Sequence, residues 1–151
     1  MAEPLPQRDR IEIEWACTHL THRFAQYLDA RDFDAVVALF SVDGALSRPS
    51  APSEIVQGRE ALLAAYKARP AGKVSRHFIT NTVIDVDSPT EAHGVCYILM
   101  YTAPPSDGPG RLQADPVQAV GAYHDRFVLE DGTWKFRERI GSVSMMAGAE
   151  P

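Results

Sequence analysis

The sequence predicts an α+β fold in which three N-terminal helices pack on a curved, mostly antiparallel sheet that encloses a pocket. Up to Lys67, apolar residues recur at spacings of three and four, which is typical of helices. From Val74 onward they alternate every second residue, which is typical of strands. Near the end, Asp131-Gly132 separates two alternating runs, and this dipeptide favours a two-residue hairpin turn.

The helices can be placed from their apolar stripes and capping residues. A first helix is expected from Asp9, as its N-cap, to about Ala30. Its apolar stripe comprises Ile13, Cys17, Leu20, Phe24 and Leu28. Asp32 is expected to cap a short second helix that reaches Phe40. A third helix is expected over residues 58–67, with Leu62, Leu63 and Tyr66 on its inward face. Pro70 and Gly72 follow and stop it.

The remaining chain is predicted to be strand and loop. After a turn at Asp43-Gly44, a short strand is expected over residues 45–47, followed by a loop at residues 50–53. Long strands are expected over residues 74–86 and 91–102. The stretch 103–116 is rich in Pro, Gly and Asp, and a connection of that length is typical of a lid, a partner contact or a disordered segment.

The closing hairpin pairs residues 121–130 with residues 133–140. An uninterrupted register places on one face the pairs Leu129 and Trp134, Phe127 and Phe136, Asp125 and Glu138, and Tyr123 and Ile140. The other, solvent face carries His124, Arg126, Lys135, Arg137 and Arg139. Two carboxylates therefore face a core or pocket, where they could hold a proton for chemistry. The alternative is a salt bridge to a cation such as Arg23 or Arg48.

Length and charge restrict the class of protein. The chain of 151 residues fits one domain, expected at residues 9–145, with a disordered N-terminus at 1–8 and a C-terminal tail at 146–151. Its net charge of −5 and the lack of a Lys/Arg-rich run argue against nucleic acid or an anionic membrane as a partner. A small molecule or a protein is the expected partner.

Cysteine use and the N-terminal sequence predict a cytoplasmic protein. Cys17 and Cys96 stand alone, without metal-ligand or redox spacing, and are expected to be reduced and buried. The N-terminal residues lack the pattern of a signal peptide, and no apolar run is long enough to span a membrane.

His77 is the first candidate for chemistry. It opens a strand, residues 76–85, whose two faces are both largely apolar, so the strand is expected to be central and His77 at least partly buried. Simple alternation places Ile79, Asn81 and Val83 on the same face as His77. A buried neutral imidazole is a good general base if a carboxylate orients its second nitrogen. The alternative is a hydrogen-bonded histidine of the core.

Asp29 and two further histidines are weaker candidates. The helical wheel puts Asp29 nearly opposite the apolar stripe, so it reaches a pocket only if the helix ends or bends there. His19 and His22 are three residues apart on the same helix, but no cysteine or second carboxylate at ligand spacing accompanies them. No metal site is therefore expected, and no nucleotide-binding loop or nucleophile elbow is present in the sequence.

The order of elements and three motifs resemble the NTF2-like superfamily, and within it the SnoaL-like group that includes polyketide cyclases, scytalone dehydratase and hexachlorocyclohexane dehydrochlorinase. The motifs are Tyr27-Leu-Asp-Ala-Arg-Asp-Phe33, Arg76-His-Phe-Ile79 and Leu129-Glu-Asp-Gly-Thr-Trp-Lys-Phe136. The resemblance covers residues 9–141 and implies the cone fold of that superfamily.

The resemblance also implies a catalytic pair. In the dehydratase and dehydrochlorinase branch, an aspartate and a histidine form a dyad at the positions of Asp29 and His77. It implies that His77 abstracts a proton from carbon or activates a hydroxyl, that Asp29 holds its tautomer, and that no cofactor takes part. Leu28 stands where scytalone dehydratase has a tyrosine, so scytalone itself is not the expected substrate. The expected polar groups of the substrate pocket are Tyr27, Arg48, Asn81, Tyr123, Asp125 and Glu138.

The sequence therefore favours a cofactor-independent lyase or isomerase, dehydratase-like, that acts on a hydrophobic or aromatic, oxygen-bearing small molecule. One alternative is a polyketide cyclase. Another is a non-catalytic domain that binds small molecules or assembles as a homodimer or homotrimer. Such an interface could use the solvent face of the hairpin and the nearby side chains Val95, Tyr97, Leu99 and Tyr101.

Overall fold

The computed structural model describes residues 5–148, so the predictions for residues 1–4 and 149–151 lie outside the described residues. The helices are α1 (Gln7–Asp29), α2 (Phe33–Ala38) and α3 (Arg59–Lys67). The strands are β1 (Phe40–Arg48), β2 (Ala51–Gln57), β3 (Val74–Ser88), β4 (Glu91–Ala103), β5 (Gln118–Glu130) and β6 (Thr133–Ala147). The predicted order of helices followed by long strands is confirmed.

The six strands form one curved sheet in the order β2-β1-β6-β5-β4-β3. All neighbours are antiparallel except β1 and β6, which run parallel, so the sheet is mixed but mostly antiparallel, as predicted. Strand β3 lies at the edge of the sheet, and the prediction that it is central is wrong. Helix α1 covers the inner face of β3, whereas Phe78 and Val83 on its outer face are 53% and 62% exposed.

Helix α1 begins earlier than predicted. Pro6 occupies the N-cap position, and Asp9 lies in the first turn without acting as the cap. Proline is well suited to a helix start because it has no backbone N–H to leave unpaired. The helix thus includes the end of the segment predicted to be disordered, residues 1–8. At the other end of the chain, β6 reaches Ala147, inside the predicted tail.

Helix α2 and the strands after it differ from the prediction in length. The Asp32 carboxylate accepts a hydrogen bond of 3.1 Å from the backbone N–H of Ala35, which confirms it as the cap. The helix ends at Ala38, and β1 begins at Phe40 and runs through the predicted turn at residues 43–44. Strand β2 replaces the predicted loop at residues 50–53. It contains Pro52, which an edge strand tolerates because one side makes no ladder bonds.

The core lies between the helices and the concave face of the sheet. The predicted apolar stripe of α1 is buried along its whole length. Phe24 of this stripe meets Phe40 and Phe136 edge-on, with ring centres 6.2 and 6.0 Å apart, and Phe136 in turn contacts Phe127 at 5.3 Å. The cysteines Cys17 and Cys96 are buried free thiols, as predicted.

A β-bulge in the closing hairpin changes which residues face the core. The predicted register holds from the turn to Phe127, which pairs with Phe136. There β6 carries one extra residue, Arg137, so that Asp125 pairs with Arg139 and Arg126 with Glu138. An extra residue in β6 moves the side chains that follow it to the opposite face of the sheet. The predictions that Glu138 faces inward beside Asp125 and that Arg139 faces solvent are therefore wrong.

A second bulge lies in β3. Thr80 pairs with Tyr97 but Val83 pairs with Val95, which leaves two residues opposite Cys96. Asn81 has a φ of 51°, a left-handed conformation that asparagine tolerates better than most residues. Beyond this point the facing reverses, and Ile84 is buried whereas Val83 is 62% exposed. The prediction of a single face from His77 to Val83 holds only as far as Ile79.

The connection between β4 and β5 contains no helix or strand. Asp115 ties it to the sheet: its carboxylate accepts hydrogen bonds from Lys73 Nζ at 2.7 Å and Thr102 Oγ1 at 2.5 Å. Its backbone N–H also donates to the Thr102 carbonyl at 2.8 Å. The segment is therefore held at its C-terminal end, beside the start of β3.

Candidate functional site

A cavity of about 140 Å³ lies between helices α1 and α3 and the concave face of the sheet. Cavities of roughly 150 Å³ hold a benzene molecule, so this one accommodates about one six-membered ring. Most of its wall is apolar, formed by residues such as Phe24, Leu28, Leu46, Ile98, Met100 and Val143. The titratable side chains that line it are Arg48, Tyr66, Arg69, His77 and Tyr123. A small, largely apolar cavity with a few polar groups is typical of a small-molecule site.

His77 is bound to Asp29 through both its ring and its backbone. The ring Nδ1 lies 2.5 Å from Asp29 Oδ1, and the backbone N–H donates to Asp29 Oδ2 at 2.9 Å. The hydroxyl of Ser75 adds a hydrogen bond of 2.8 Å to Oδ1. The side chains of His77 and Asp29 are only 10% and 12% exposed. The carboxylate therefore fixes both the position and the orientation of the imidazole.

The environment of Asp29 keeps it ionised. Burial acts to raise its pKa, but the hydrogen bonds from His77 and Ser75 outweigh burial, and the pKa lies below its ordinary value. An ionised carboxylate only accepts hydrogen bonds, so the network assigns the proton to Nδ1 of His77. In the neutral ring Nε2 then carries a lone pair. His77 lines the cavity, and Nε2 makes no hydrogen bond to any of residues 5–148.

Asp29 reaches the site because α1 ends there and β3 crosses its end. Asp29 is the last residue of the helix, and Arg31, with a φ of 57°, turns the chain away. Residues 75–77 of β3 then lie against the Asp29 carboxylate. The helical wheel predicts that Asp29 faces solvent because the apolar stripe marks only one packed side of α1. Strand β3 covers a second side of the helix.

Behind the cavity wall lies a buried ion pair. Arg139 is fully buried, with its Nε 3.5 Å from Asp125 Oδ1 and its Nη2 donating to Cys96 Sγ at 3.3 Å. The guanidinium carbon lies 4.4, 4.0 and 4.6 Å from the ring centres of Phe24, Tyr123 and Phe136. Burial raises the pKa of Asp125 to about 6, against the opposing effect of Arg139. At neutral pH the carboxylate is therefore ionised and pairs with Arg139.

The structure brings some of the predicted pocket residues together and excludes others. Arg48 and Tyr123 line the cavity with His77. Tyr27 does not line it, because its ring packs against the core. Asn81 is exposed, since the bulge in β3 turns it outward. The predictions that Tyr27 and Asn81 belong to the cavity wall are wrong.

Two acidic pocket predictions are also wrong. Asp125 is buried behind the wall, where its partner is Arg139, and it does not line the cavity. Glu138 lies on the opposite face of the sheet, in a surface groove that it shares with Arg126 and Arg137. Both errors come from the bulge at Arg137, which the sequence does not reveal.

Tyr66 and Arg69 line the cavity and were missed as site residues. Tyr66 was assigned only to the inward face of the third helix. Residues three apart on a helix are neighbours, but Arg69 lies past the predicted end of the third helix at residue 67, so spacing alone does not place it beside Tyr66. The backbone N–H of Arg69 donates to the Tyr66 carbonyl at 3.1 Å, which continues the helical path past the end of α3.

Other site types find little support in the described residues. His19 and His22 are exposed, and His19 Nε2 accepts a hydrogen bond from Arg23. Within residues 5–148, no group of three or more His, Cys, Asp or Glu side chains is arranged to hold a metal ion. None of the three helices in that range has both the length and the apolar composition of a membrane span.

Comparison with known proteins identifies the family. Residues 9–140 match the model of the SnoaL-like domain. The chain belongs to this family, and through it to the NTF2-like superfamily. A search of curated protein sequences finds no match.

Solved structures share the fold of this SnoaL-like domain. One is a scytalone dehydratase candidate from Novosphingobium aromaticivorans, with a TM-score of 0.80, 22% identity, and coverage of 97% of this chain and 93% of the other. The type 2 hexachlorocyclohexane dehydrochlorinase LinA has a TM-score of 0.78 and 16% identity, with coverage of 96% and 94%. ActVI-ORFA from Streptomyces coelicolor has a TM-score of 0.70 and 22% identity, with coverage of 88% and 98%. At these identities the likeness shows the cone fold alone.

Proposed function

We propose that the protein is a cofactor-independent lyase or isomerase in which His77 and Asp29 move a proton on a hydrophobic or aromatic, oxygen-bearing small molecule. One observation carries the proposal. The Asp29 carboxylate holds Nδ1 of His77 at 2.5 Å, while the other side of the ring borders a mostly apolar cavity. This is the arrangement of a general base with its orienting carboxylate.

The chemistry follows from the tautomer. Nε2 of His77 accepts a proton from a carbon next to a carbonyl group. The electron pair of the broken C–H bond forms a double bond to the carbonyl carbon, and the carbonyl π electrons move to the oxygen. In an elimination, a hydroxide or halide then leaves from the next carbon with its bonding electrons. In an isomerisation, the proton returns to a different carbon. The imidazolium formed in either case is stabilised by the ionised Asp29, and most strongly where the surroundings are apolar.

Tyr123 is the residue we expect to contact the substrate oxygen. Its ring lines the cavity, and burial raises the pKa of its hydroxyl to about 12, against the opposing effect of Arg139. The phenol is therefore protonated at neutral pH and can donate a hydrogen bond to a carbonyl oxygen. Such a donor stabilises the negative charge that develops on that oxygen as the proton leaves carbon.

The names of two similar structures support an elimination. One is a dehydratase candidate and the other a dehydrochlorinase, and both names describe the removal of a small leaving group. Cyclisation of a polyketide is the alternative chemistry for the same base.

The proposal is tested with a panel of six-membered cyclic ketones that carry a hydroxyl or a chloride on the β-carbon, the second carbon from the carbonyl carbon. Each compound is incubated with the protein in D₂O, and ¹H NMR follows loss of the leaving group and exchange of the α-hydrogen. His77→Gln should lower the rate by about 10²- to 10⁴-fold. His93, bound to Asp87 at 2.9 Å but 53% exposed, provides the matched control, and His93→Gln should react like the wild type.

Two results would refute the proposal. The wild type could turn over or exchange no compound of the panel. Alternatively, His77→Gln could retain the wild-type rate on a compound that does react. A cyclase would act only on linear polyketide chains, which a second panel provides.

We also propose that the chain forms a homodimer or homotrimer through the outer face of β3 and β4. Phe78, Val83 and Tyr97 on this face are 53%, 62% and 52% exposed. Exposed apolar side chains clustered on one sheet face indicate an interaction surface. Light scattering on the wild type should give an oligomer mass, and Tyr97→Asp should shift it toward the monomer. A wild-type monomer at high concentration would contradict this assembly.

A further inference from the structure

Two guanidinium groups line the cavity without a buried carboxylate to neutralise them. Arg69 forms no ion pair with any Asp or Glu among residues 5–148, and Arg48 meets only Glu54, at 3.5 Å. Arg48 and Glu54 are 47% and 70% exposed, and exposed pairs of this kind contribute little. The carboxylates nearest the cavity are already engaged, Asp29 by His77 and Asp125 by Arg139.

Arg69 is held in place against the cavity wall. Its guanidinium carbon lies 4.4 Å from the ring centre of Tyr66, which is a cation–π contact. Burial lowers the pKa of Arg69, and the positive charge of Arg48 lowers it further, while Tyr66 acts in the opposite direction. Burial and the charge of Arg48 therefore both disfavour the positive charge of Arg69. A bound anion would relieve the repulsion between the two arginines.

The hydroxyl of Tyr66 is a second, independent indication of a ligand. Tyr66 is 1% exposed, and its hydroxyl has no hydrogen-bond partner among residues 5–148. Buried hydroxyl groups are nearly always paired, because a buried donor without a partner lowers stability. Tyr66 lines the same cavity as Arg48 and Arg69. An acceptor atom of a ligand placed at this end of the cavity would satisfy the hydroxyl.

We propose that this end of the cavity binds a carboxylate, held by Arg69 and Arg48 with a hydrogen bond from the Tyr66 hydroxyl. Guanidinium groups bind carboxylates through two parallel hydrogen bonds, which fixes orientation as well as charge. The substrate is then a small carboxylic acid built on about one six-membered ring, a size that fits the cavity volume of about 140 Å³. The inference rests on the proposed function for the reacting centre, which the anchored carboxylate would orient toward His77.

The test compares benzoate with benzamide, which has nearly the same shape but no charge. Affinities are measured by calorimetry for the wild type, Arg69→Gln, Arg48→Gln and Tyr66→Phe. The wild type should bind benzoate at least about tenfold more tightly than benzamide, because one charge-assisted hydrogen bond contributes about that much to affinity. Arg69→Gln should remove this preference while leaving benzamide binding unchanged. Arg10→Gln, which removes an exposed arginine on α1, should bind like the wild type.

Three results would overturn the carboxylate site. Benzoate and benzamide could bind equally, neither could bind at millimolar concentration, or the preference could survive in all three cavity variants. If Arg69→Gln fails to fold by circular dichroism, Arg48→Gln and Tyr66→Phe provide the same comparison. A preference for benzoate without turnover of any acid-bearing ketone would refute the proposed function and leave the carboxylate site standing.

Discussion

Asp29 and His77 are 48 residues apart in sequence, yet their side chains meet at 2.5 Å. The contact joins the end of α1 to the start of β3, and the same carboxylate also accepts the backbone N–H of His77 at 2.9 Å. A shift of the strand along the helix would break both hydrogen bonds together. The pair is therefore part of the packing between helix and sheet as well as the candidate catalytic group.

Asp29→Asn should reduce activity without unfolding the protein. The asparagine amide can still occupy the site, but it can donate to Nδ1 and so favour the tautomer with a proton on Nε2. That tautomer has no lone pair to offer the substrate. The expected loss in kcat/KM on a reacting compound is about 10²- to 10⁴-fold. Asp87→Asn, which alters the exposed carboxylate beside His93, is the control, and an Asp29→Asn enzyme as active as that control would contradict the assigned tautomer.

His77→Gln should raise the pKa of Asp29. In the wild type the hydrogen bonds from His77 and Ser75 outweigh burial and hold this pKa below its ordinary value. A depressed pKa adds stability that is present above the unfolded-state value of about 3.9 and is lost as the pH falls through the folded-state pKa. The variant should lose less stability than the wild type on acidification below about pH 4. Carboxyl ¹³C NMR measures the pKa directly, and an unchanged Asp29 titration would contradict the coupling.

Asp125 should produce the opposite pH dependence. Burial raises its pKa to about 6, so between about pH 4 and pH 6 the folded protein keeps a proton that the unfolded chain has lost. This group should therefore decrease the free energy of unfolding as the pH rises through that range, by up to about 3 kcal/mol. Urea unfolding at several pH values measures the slope, and carboxyl NMR assigns it. A titration of Asp125 below pH 4 would contradict the prediction.

Removing one member of the buried ion pair should cost more than removing both. Arg139→Met leaves the Asp125 carboxylate buried without a cation and should destabilise the fold by about 3–5 kcal/mol at pH 7. Adding Asp125→Leu removes the unpaired charge and should restore part of that loss. Urea unfolding of both variants gives the two free energies. A double variant less stable than Arg139→Met alone would show that the pair is not the reason for the loss.

The sequence predicted the architecture well where local patterns determine it. The stripe from Ile13 to Leu28 and the turn at Asp131-Gly132 are local signals, and both were correct. The errors in facing come from two bulges, at Arg137 and at Asn81. A bulge adds one residue without changing composition, so alternation alone does not detect it. Asn81 offered a weak indication, because asparagine adopts a left-handed conformation more readily than most residues.

The candidate site was predicted only in part for a related reason. Periodicity describes one helix and one packing surface, whereas Asp29 lies where α1 meets a second surface, strand β3. The pairing of Asp29 with His77 came from family resemblance and not from the helical pattern, which pointed the other way. Arg69 was missed because an arginine just beyond a helix end is usually exposed, and only its stacking on Tyr66 brings it to the cavity.

The most direct test of the central claim is ¹⁵N–¹H NMR of the His77 ring in the wild type at neutral pH, with His77→Gln used to assign the signals. For the neutral ring we expect a proton on Nδ1, shifted far downfield by its 2.5 Å contact with Asp29, and a lone pair on Nε2 facing the cavity. Asp29→Asn should abolish the downfield signal. A proton on Nε2 in the wild type, or a spectrum that does not change in Asp29→Asn, would contradict the assignment of His77 as the base.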